Sequence, residues 1–212
     1  MIFKMAWKNM FRYKKRSFVT ASAVAFGVIF TVLFDSLIYG LSNETDINLI
    51  NYECSGVKFY AKEYFKNKDE LPIDYLIEKY DRQKIENYLE SKKIASCPEI
   101  TSECEIYFNE DYFETAGSIT GILVGVEPEK VKTVYKLSDS LQSGTWLEKD
   151  PDQPYCSGAV VGSWIADDMG AQIGWDITVQ CNGKGGFTQT MDVPIVGILH
   201  CPNSTINSSY IL

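Results

Sequence analysis

The one histidine of this 212-residue chain, His200, is where acid–base or metal chemistry would be sought first, because imidazole titrates near neutral pH and binds metals readily. Cys201 is its neighbour, so a Cys-His or Ser-His-Asp unit for nucleophilic catalysis would have to use this position. No Gly-x-Ser-x-Gly elbow or other local signature accompanies it. A histidine at the end of a predicted strand is more often structural, so the sequence predicts no catalytic residue.

Two further patterns have a simpler interpretation than catalysis or phosphate binding. Residues 182–186 are glycine-rich and include Lys184, but they lack the Gly-x4-Gly-Lys-Ser/Thr spacing of a phosphate-binding loop. Asn-Gly supports positive φ in a turn, so this run predicts a β-hairpin. Adjacent side chains on a helix point apart, which favours a capping role or a solvated face for the acidic pairs Asp167-Asp168 and Glu127/Glu129.

Six cysteines all follow the apolar segment described below. In an oxidising compartment they allow up to three disulfides, in 15 possible pairings. None forms a Cys-x2-Cys metal motif, although zinc held by Cys181, His200 and Cys201 and free buried thiols both stay open as alternatives. Three Asn-x-Ser/Thr sequons, at Asn43, Asn203 and Asn207, matter only in a eukaryotic source. The cysteines are Cys54, Cys97, Cys104, Cys156, Cys181 and Cys201.

Charge is distributed unevenly along the chain. The net charge is −8, from 20 basic and 28 acidic residues, which argues against a general nucleic-acid binder. Residues 1–16 contain six basic residues and no acid, so the remainder carries 14 basic against 28 acidic groups, or −14. The basic residues of this N-terminal segment are Lys4, Lys8, Arg12, Lys14, Lys15 and Arg16.

An apolar segment follows the basic residues and predicts a transmembrane helix over residues 17–41. Residues 17–34 are uncharged, and ten of them are Phe, Val, Ile or Leu, which favours insertion by about 3 to 6 kcal/mol. Asp35 lies near the far end, where its cost is smaller than at the bilayer centre. The positive-inside rule then predicts residues 1–16 in the cytoplasm and residues 42–212 outside. A cleaved signal peptide is the alternative, but its apolar region is shorter.

Two faces of the N-terminal region predict contacts. Lys4, Lys8, Arg12 and Arg16 recur every four residues, as in an interfacial amphipathic helix that binds lipid. Within the span, small residues share one face and would let another helix approach closely; we expect this face, with Asp35, to contact other spans. Its members are Thr20, Ala23, Gly27 and Thr31.

The body has mixed periodicity and predicts an α+β fold. Alternating or short apolar runs predict strands over residues 52–61, 100–108, 119–127, 159–161, 175–181 and 187–199. Helices are predicted from an Asp81 cap to residue 91, from Pro128, and from a Ser163 cap to residue 169. Residues 143–154 are typical of a loop. Residues 210–212 look like the interior of another strand, so we expect a longer native protein.

Six segments in order along the chain, residues 6–17, 121–129, 143–147, 159–162, 165–174 and 194–198, together resemble segments of MacB-type ABC-transporter permeases. This group includes FtsX-like and lipoprotein-releasing LolC/LolE-type subunits. Residues 6–17 (AWKNMFRYKKRS) are similar to the segment that precedes the family's first span. The other similar segments are 121–129 (GILVGVEPE), 143–147 (SGTWL), 159–162 (AVVG), 165–174 (IADDMGAQIG) and 194–198 (PIVGI). The sequence departs from the family at Trp175, where Asp is usual, and in its six cysteines.

The resemblance implies a permease subunit without chemistry or a cofactor of its own. A cytoplasmic ABC ATPase would supply the motion, and a second permease copy or paralogue would complete the complex in a bacterial inner membrane. The external domain, a MacB-like periplasmic core, would move lipoprotein, drug or peptide cargo. Its implied parts are Porter-like (residues 42–128 and 195–212) and Sabre-like (residues 129–194). A single-span membrane-anchored binding or regulatory module is the alternative function, and an exported enzyme is a third.

Overall fold

The computed structural model describes residues 4, 5, 7, 12–111, 114–148 and 158–212. The chain forms two compact units, Met1–Ile47 and Asn48–Leu212. The first unit contains most of one long helix, and the second contains a β-sheet with short helices.

Helix α1, Lys14–Asn48, contains the whole predicted span and has no buried residue. Its large apolar side chains are open to their surroundings; Phe18, for example, is 74% exposed. Among the described residues this is the one helix that is long and apolar enough to cross a membrane. Apolar exposure on this scale is unfavourable in water, so the helix needs an apolar environment. Half of the residues of the amphipathic helix predicted over residues 1–16 lie outside the described residues, and Lys8 is one of them.

The second unit is α+β, as the sequence predicts. A π-helix, Leu49–Cys54, opens it. The α-helices are α2 (Lys62–Lys66), α3 (Lys79–Ser91), α4 (Pro128–Val134), α5 (Ser163–Met169) and α6 (Ser204–Ser209). The strands are β1 (Glu99–Asp111), β2 (Glu114–Val126), β3 (Leu141–Gly144), β4 (Ala159–Gly162), β5 (Asp176–Asn182), β6 (Thr188–Leu199) and β7 (Tyr210–Ile211). Single 3-10 turns occupy Lys68–Glu70, Ile73–Tyr75 and Ser138–Ser140.

Six of these strands close into a barrel, in the order β6-β4-β7-β2-β1-β5 and back to β6. Closure is possible because β6 is long enough for two partners. Its residues 188–194 pair with β5 and its residues 195–199 pair with β4. Strand β3 pairs with residues 197–199 of β6, along the same edge of β6 that pairs with β5 over residues 188–194. A closed barrel leaves no long unpaired edge in these six strands.

Two clusters of buried side chains flank the strands. The first takes residues from β1, β4, β5, β6 and β7, with Ile106, Phe108, Ile177 and Val179 among its most buried members. These positions alternate along β1 and β5, as expected when one face of a strand points inward. The second cluster lies between the sheet and the segments around α4 and α6, and includes Val131, Tyr135, Leu199, Cys201 and Ile206.

The strand predicted over residues 52–61 is wrong. Residues up to Cys54 are helical, residues 56–61 have no regular structure, and α2 follows. The alternation of Val57 and Phe59 suggested a half-buried strand, but these side chains are 73% and 55% exposed. An alternating pattern predicts a strand only when a neighbouring strand accepts its backbone hydrogen bonds, and no described strand pairs with this segment.

Other predicted boundaries also needed correction. Helix α3 has Glu78 at its N-cap position, with Asp81 in its first turn, and α5 has Gly162 at that position instead of Ser163. In the confirmed hairpin, positive φ falls at Gly185 and Gly186 instead of at the Asn-Gly pair. The segment predicted as a loop from residue 143 begins inside β3, and its residues 149–157 lie outside the described ones.

Candidate functional sites

The predicted packing face of the span is exposed, and its two threonine hydroxyls hydrogen bond within the same helix. The hydroxyls of Thr20 and Thr31 donate to the carbonyls of Arg16 and Gly27, at 3.0 and 2.9 Å. These donors are therefore satisfied within α1 and require no polar partner on another helix. A Cβ added at Gly27 would meet no atom within 4 Å, so the space that glycine leaves is available to a neighbour. Ala23 and Asp35 are exposed on the same helix.

The basic residues beside the span are exposed wherever the structure describes them, at Lys4, Arg12 and Lys14–Arg16. The Arg12 guanidinium lies 5.8 Å from the ring centroid of Tyr13, a cation–π distance. Exposed positive charge beside an apolar helix is suited to anionic lipid headgroups.

A polar cluster that the sequence did not reveal ties the segment after α1 to the rest of the second unit. The Lys58 ammonium lies 3.0 Å from Glu99 Oε1, and the Tyr135 hydroxyl donates to Glu99 Oε2 at 3.1 Å. Burial opposes the charge on Lys58, but the Glu99 carboxylate outweighs it and raises the pKa of Lys58. Burial, together with the same carboxylate, raises the pKa of Tyr135 well above its ordinary value.

The π-helix carries two further ties within this unit. The Lys136 amide donates to the carbonyl of Asn51 at 2.9 Å, and Asn203 Nδ2 donates to Glu53 Oε2 at 2.9 Å. The partners are 85 and 150 residues apart in the chain, so no local spacing could predict them. The free thiol of Cys54 interacts electrostatically with Lys58, and burial raises its pKa. The hydrogen bonds of the cluster join Asn51 and Glu53 to the segment after α4 and to the loop before α6.

His200 does have a hydroxyl partner, but the pair is not arranged for catalysis. Ser163 Oγ lies 2.8 Å from His200 Nδ1. However, Ser163 is only 4% exposed, which restricts the access of a substrate carbonyl to its oxygen, and no carboxylate among the described residues hydrogen bonds to the ring. The contact explains why Ser163 is not a helix cap: its hydroxyl is engaged by the imidazole.

The acidic pairs have structural roles. Glu127 and Glu129 form ion pairs with Lys130 and Lys132, at 2.9 and 3.1 Å, along α4. Asp167 and Asp168 are exposed on α5. The glycine-rich hairpin turn is held by Asp74, whose Oδ1 accepts from the Gly185 amide at 3.0 Å.

Five of the six cysteines are described, and all five are free; Cys156 lies outside the described residues. The described residues contain no group of three His, Cys, Asp or Glu side chains that could hold a metal. The zinc alternative fails because Cys181 faces β1 while the Cys201 thiol donates to the Asn203 carbonyl. Of the sequons, Asn207 is 2% exposed and Asn203 is hydrogen bonded, whereas Asn43 is exposed on α1.

Comparison with known proteins identifies no family for this chain. The chain matches no protein-family model and no curated protein.

Proposed function

We propose that this chain is the N-terminal part of a membrane-spanning permease subunit of the MacB/LolCE/FtsX type. The observation that carries the proposal is α1, a 35-residue helix with no buried side chain that follows a run of exposed basic residues. Its apolar surface requires lipid or other helices. The order of the family-like motifs along the chain supports the narrower choice of family.

In this proposal residues 1–16 face the cytoplasm and residues 42–212 lie outside a bacterial inner membrane. A cytoplasmic ABC ATPase moves the spans, and the face containing Gly27 packs against a second permease copy or another span. Motion along α1 passes through the chain to the π-helix Leu49–Cys54. The bonds of that π-helix to residues 136 and 203 would then carry motion into the barrel. The barrel unit acts on lipoprotein, drug or peptide cargo.

The first experiment measures the intact mass of the native protein in washed membranes of the source cells. A membrane species about twice the mass of this 24.0 kDa chain, together with a co-purifying ATPase, supports the permease. A 24.0 kDa membrane species without an ATPase supports the alternative, a single-span membrane-anchored binding or regulatory module. Recovery in the soluble fraction contradicts both functions.

The packing face is tested by Gly27→Leu. Because a Cβ added at Gly27 has no side chain or other segment within 4 Å, the substitution should leave the subunit folded and reduce its co-purification with partner subunits. Ala25→Leu is the matched control, since Ala25 lies about 160° around the helix from Gly27. Equal recovery of partners with both variants would argue against this face.

A further inference from the structure

Two cysteines lie directly opposite each other on neighbouring strands. Cys104 of β1 and Cys181 of β5 are Cα partners in an antiparallel ladder. Opposite residues in such a ladder have Cα atoms about 4.5 or 5.5 Å apart, depending on the type of pair. Both values fall within the range of about 4.4–6.8 Å that disulfides span. The backbone therefore already has the spacing that a bond between these residues needs.

The two side chains also share one face of the sheet. Cys104 is a buried member of the first core cluster, and Cys181 packs against that cluster as a half-buried residue. Of the described cysteines, only these two occupy paired strand positions. Cys54, Cys97 and Cys201 lie outside the strands, in the π-helix, before β1 and before α6.

An open groove of about 660 Å³ runs along the strands at this point. Its lining includes Ser102, Cys104, Gln180 and Asn182. Cys104 is part of this lining and Cys181 is not, but Cys181 is the less buried of the two cysteines. Burial raises the pKa of the Cys104 thiol to about 11, which leaves little of its thiolate to start the reaction.

We propose that Cys104 and Cys181 form a cross-strand disulfide by exchange with an external disulfide of the glutathione class. The Cys181 thiolate attacks one sulfur of the oxidant, which breaks its S–S bond, gives a mixed disulfide and releases one thiol. Cys104 then loses its proton and attacks Cys181 Sγ, which releases the second thiol. The protein loses two electrons and two protons, and the external disulfide gains them as two thiols.

Occurrence of this bond in cells rests on the external location proposed above, because oxidising compartments preserve disulfides. Its formation in purified protein does not depend on location. The experiment therefore uses the full chain, purified in detergent with reduced thiols and then incubated with oxidised glutathione, so a negative result bears on the pairing and leaves the membrane topology untouched.

Cys97→Ser and Cys156→Ser are introduced first, because trypsin then yields peptides 94–130 and 150–184 with one cysteine each. After free thiols are alkylated, mass spectrometry without reduction should show these two peptides linked, with loss of both alkylated peptides. Recovery of both peptides in alkylated form, or linkage of either one to Cys54 or Cys201, would overturn the pairing.

Two further variants test the order of the two exchange steps, and they do so without requiring that the disulfide form. With Cys104→Ser added, the exchange stops at its first step, and Cys181 should accumulate as the glutathione adduct. With Cys181→Ser instead, Cys104 should carry little glutathione, because it is buried and its thiolate is scarce, and it should be alkylated once the protein is denatured. The opposite pattern, with an adduct on Cys104 and none on Cys181, would contradict the proposed reaction.

Discussion

Asn207 offers the sharpest test of how the barrel unit is held together. Its side chain is 2% exposed and spans the loop before α6: Oδ1 accepts from the Cys201 amide at 2.9 Å, and Nδ2 donates to the Cys201 carbonyl at 2.8 Å. Asn207→Ala leaves both backbone groups of a buried residue without a partner. At about 1–2 kcal/mol for each unsatisfied group, we expect the free energy of unfolding to fall by about 2–4 kcal/mol.

For a domain of this size, about 1 kcal/mol lowers the melting temperature by about 2–4 °C. Asn207→Ala should therefore melt roughly 5–15 °C below the parent protein. The full chain is heated in detergent micelles, and unfolding is followed by the fluorescence of the tryptophans in the barrel unit, Trp146, Trp164 and Trp175.

Asn203→Ala is the matched control, because it removes an asparagine from the same loop. Asn203 caps α6 and bonds Glu53 but is less buried, so its loss should cost about 1 kcal/mol. If Asn207→Ala melts no lower than Asn203→Ala, the two buried bonds do not contribute as reasoned here.

Two further measurements follow from the structure. Burial and nearby carboxylates raise the pKa of Tyr135, and burial with nearby carboxylates raises that of Tyr210 to about 12. An unfolded phenol ionises near pH 10, so the free energy of unfolding should fall as the pH rises above about 10. The melting temperature of Tyr135→Phe should fall less steeply with pH than that of the parent protein. Equal slopes of melting temperature against pH in the two proteins would refute this. A Cβ at Gly162 would clash with the Asn207 carbonyl oxygen, so Gly162→Ala should lower the melting temperature. Gly125→Ala, where the nearest atom is 3.7 Å away, should change it little, and equal effects would contradict the close approach.

Local patterns predicted the elements whose stability depends on nearby residues. The apolar run that forms α1, the Pro128 start of α4 and the glycine-rich hairpin are all present. The strand predicted over residues 52–61 failed because its pattern is local while a strand requires a distant partner.

The contacts that the sequence could not predict join distant segments. Lys58 and Glu99 are 41 residues apart, and Cys104 and Cys181 are 77 apart. Each pair meets only in the folded chain, and no spacing rule connects residues across that distance. The proposed membership of a permease family rests on local motifs alone, and such motifs predict none of these contacts.

Strand β7 lies between two strands that precede it in the chain, so the pairing of the barrel strands can be completed only after β7 has been synthesised. Its two residues lie between β2 and β4, where Ile211 is fully buried and Leu212 exchanges two backbone hydrogen bonds with Val160. During synthesis the facing edges of β2 and β4 therefore stay unpaired until residues 210–212 have been made. Open edges invite pairing with other chains, so residues 210–212 protect these two edges from aggregation.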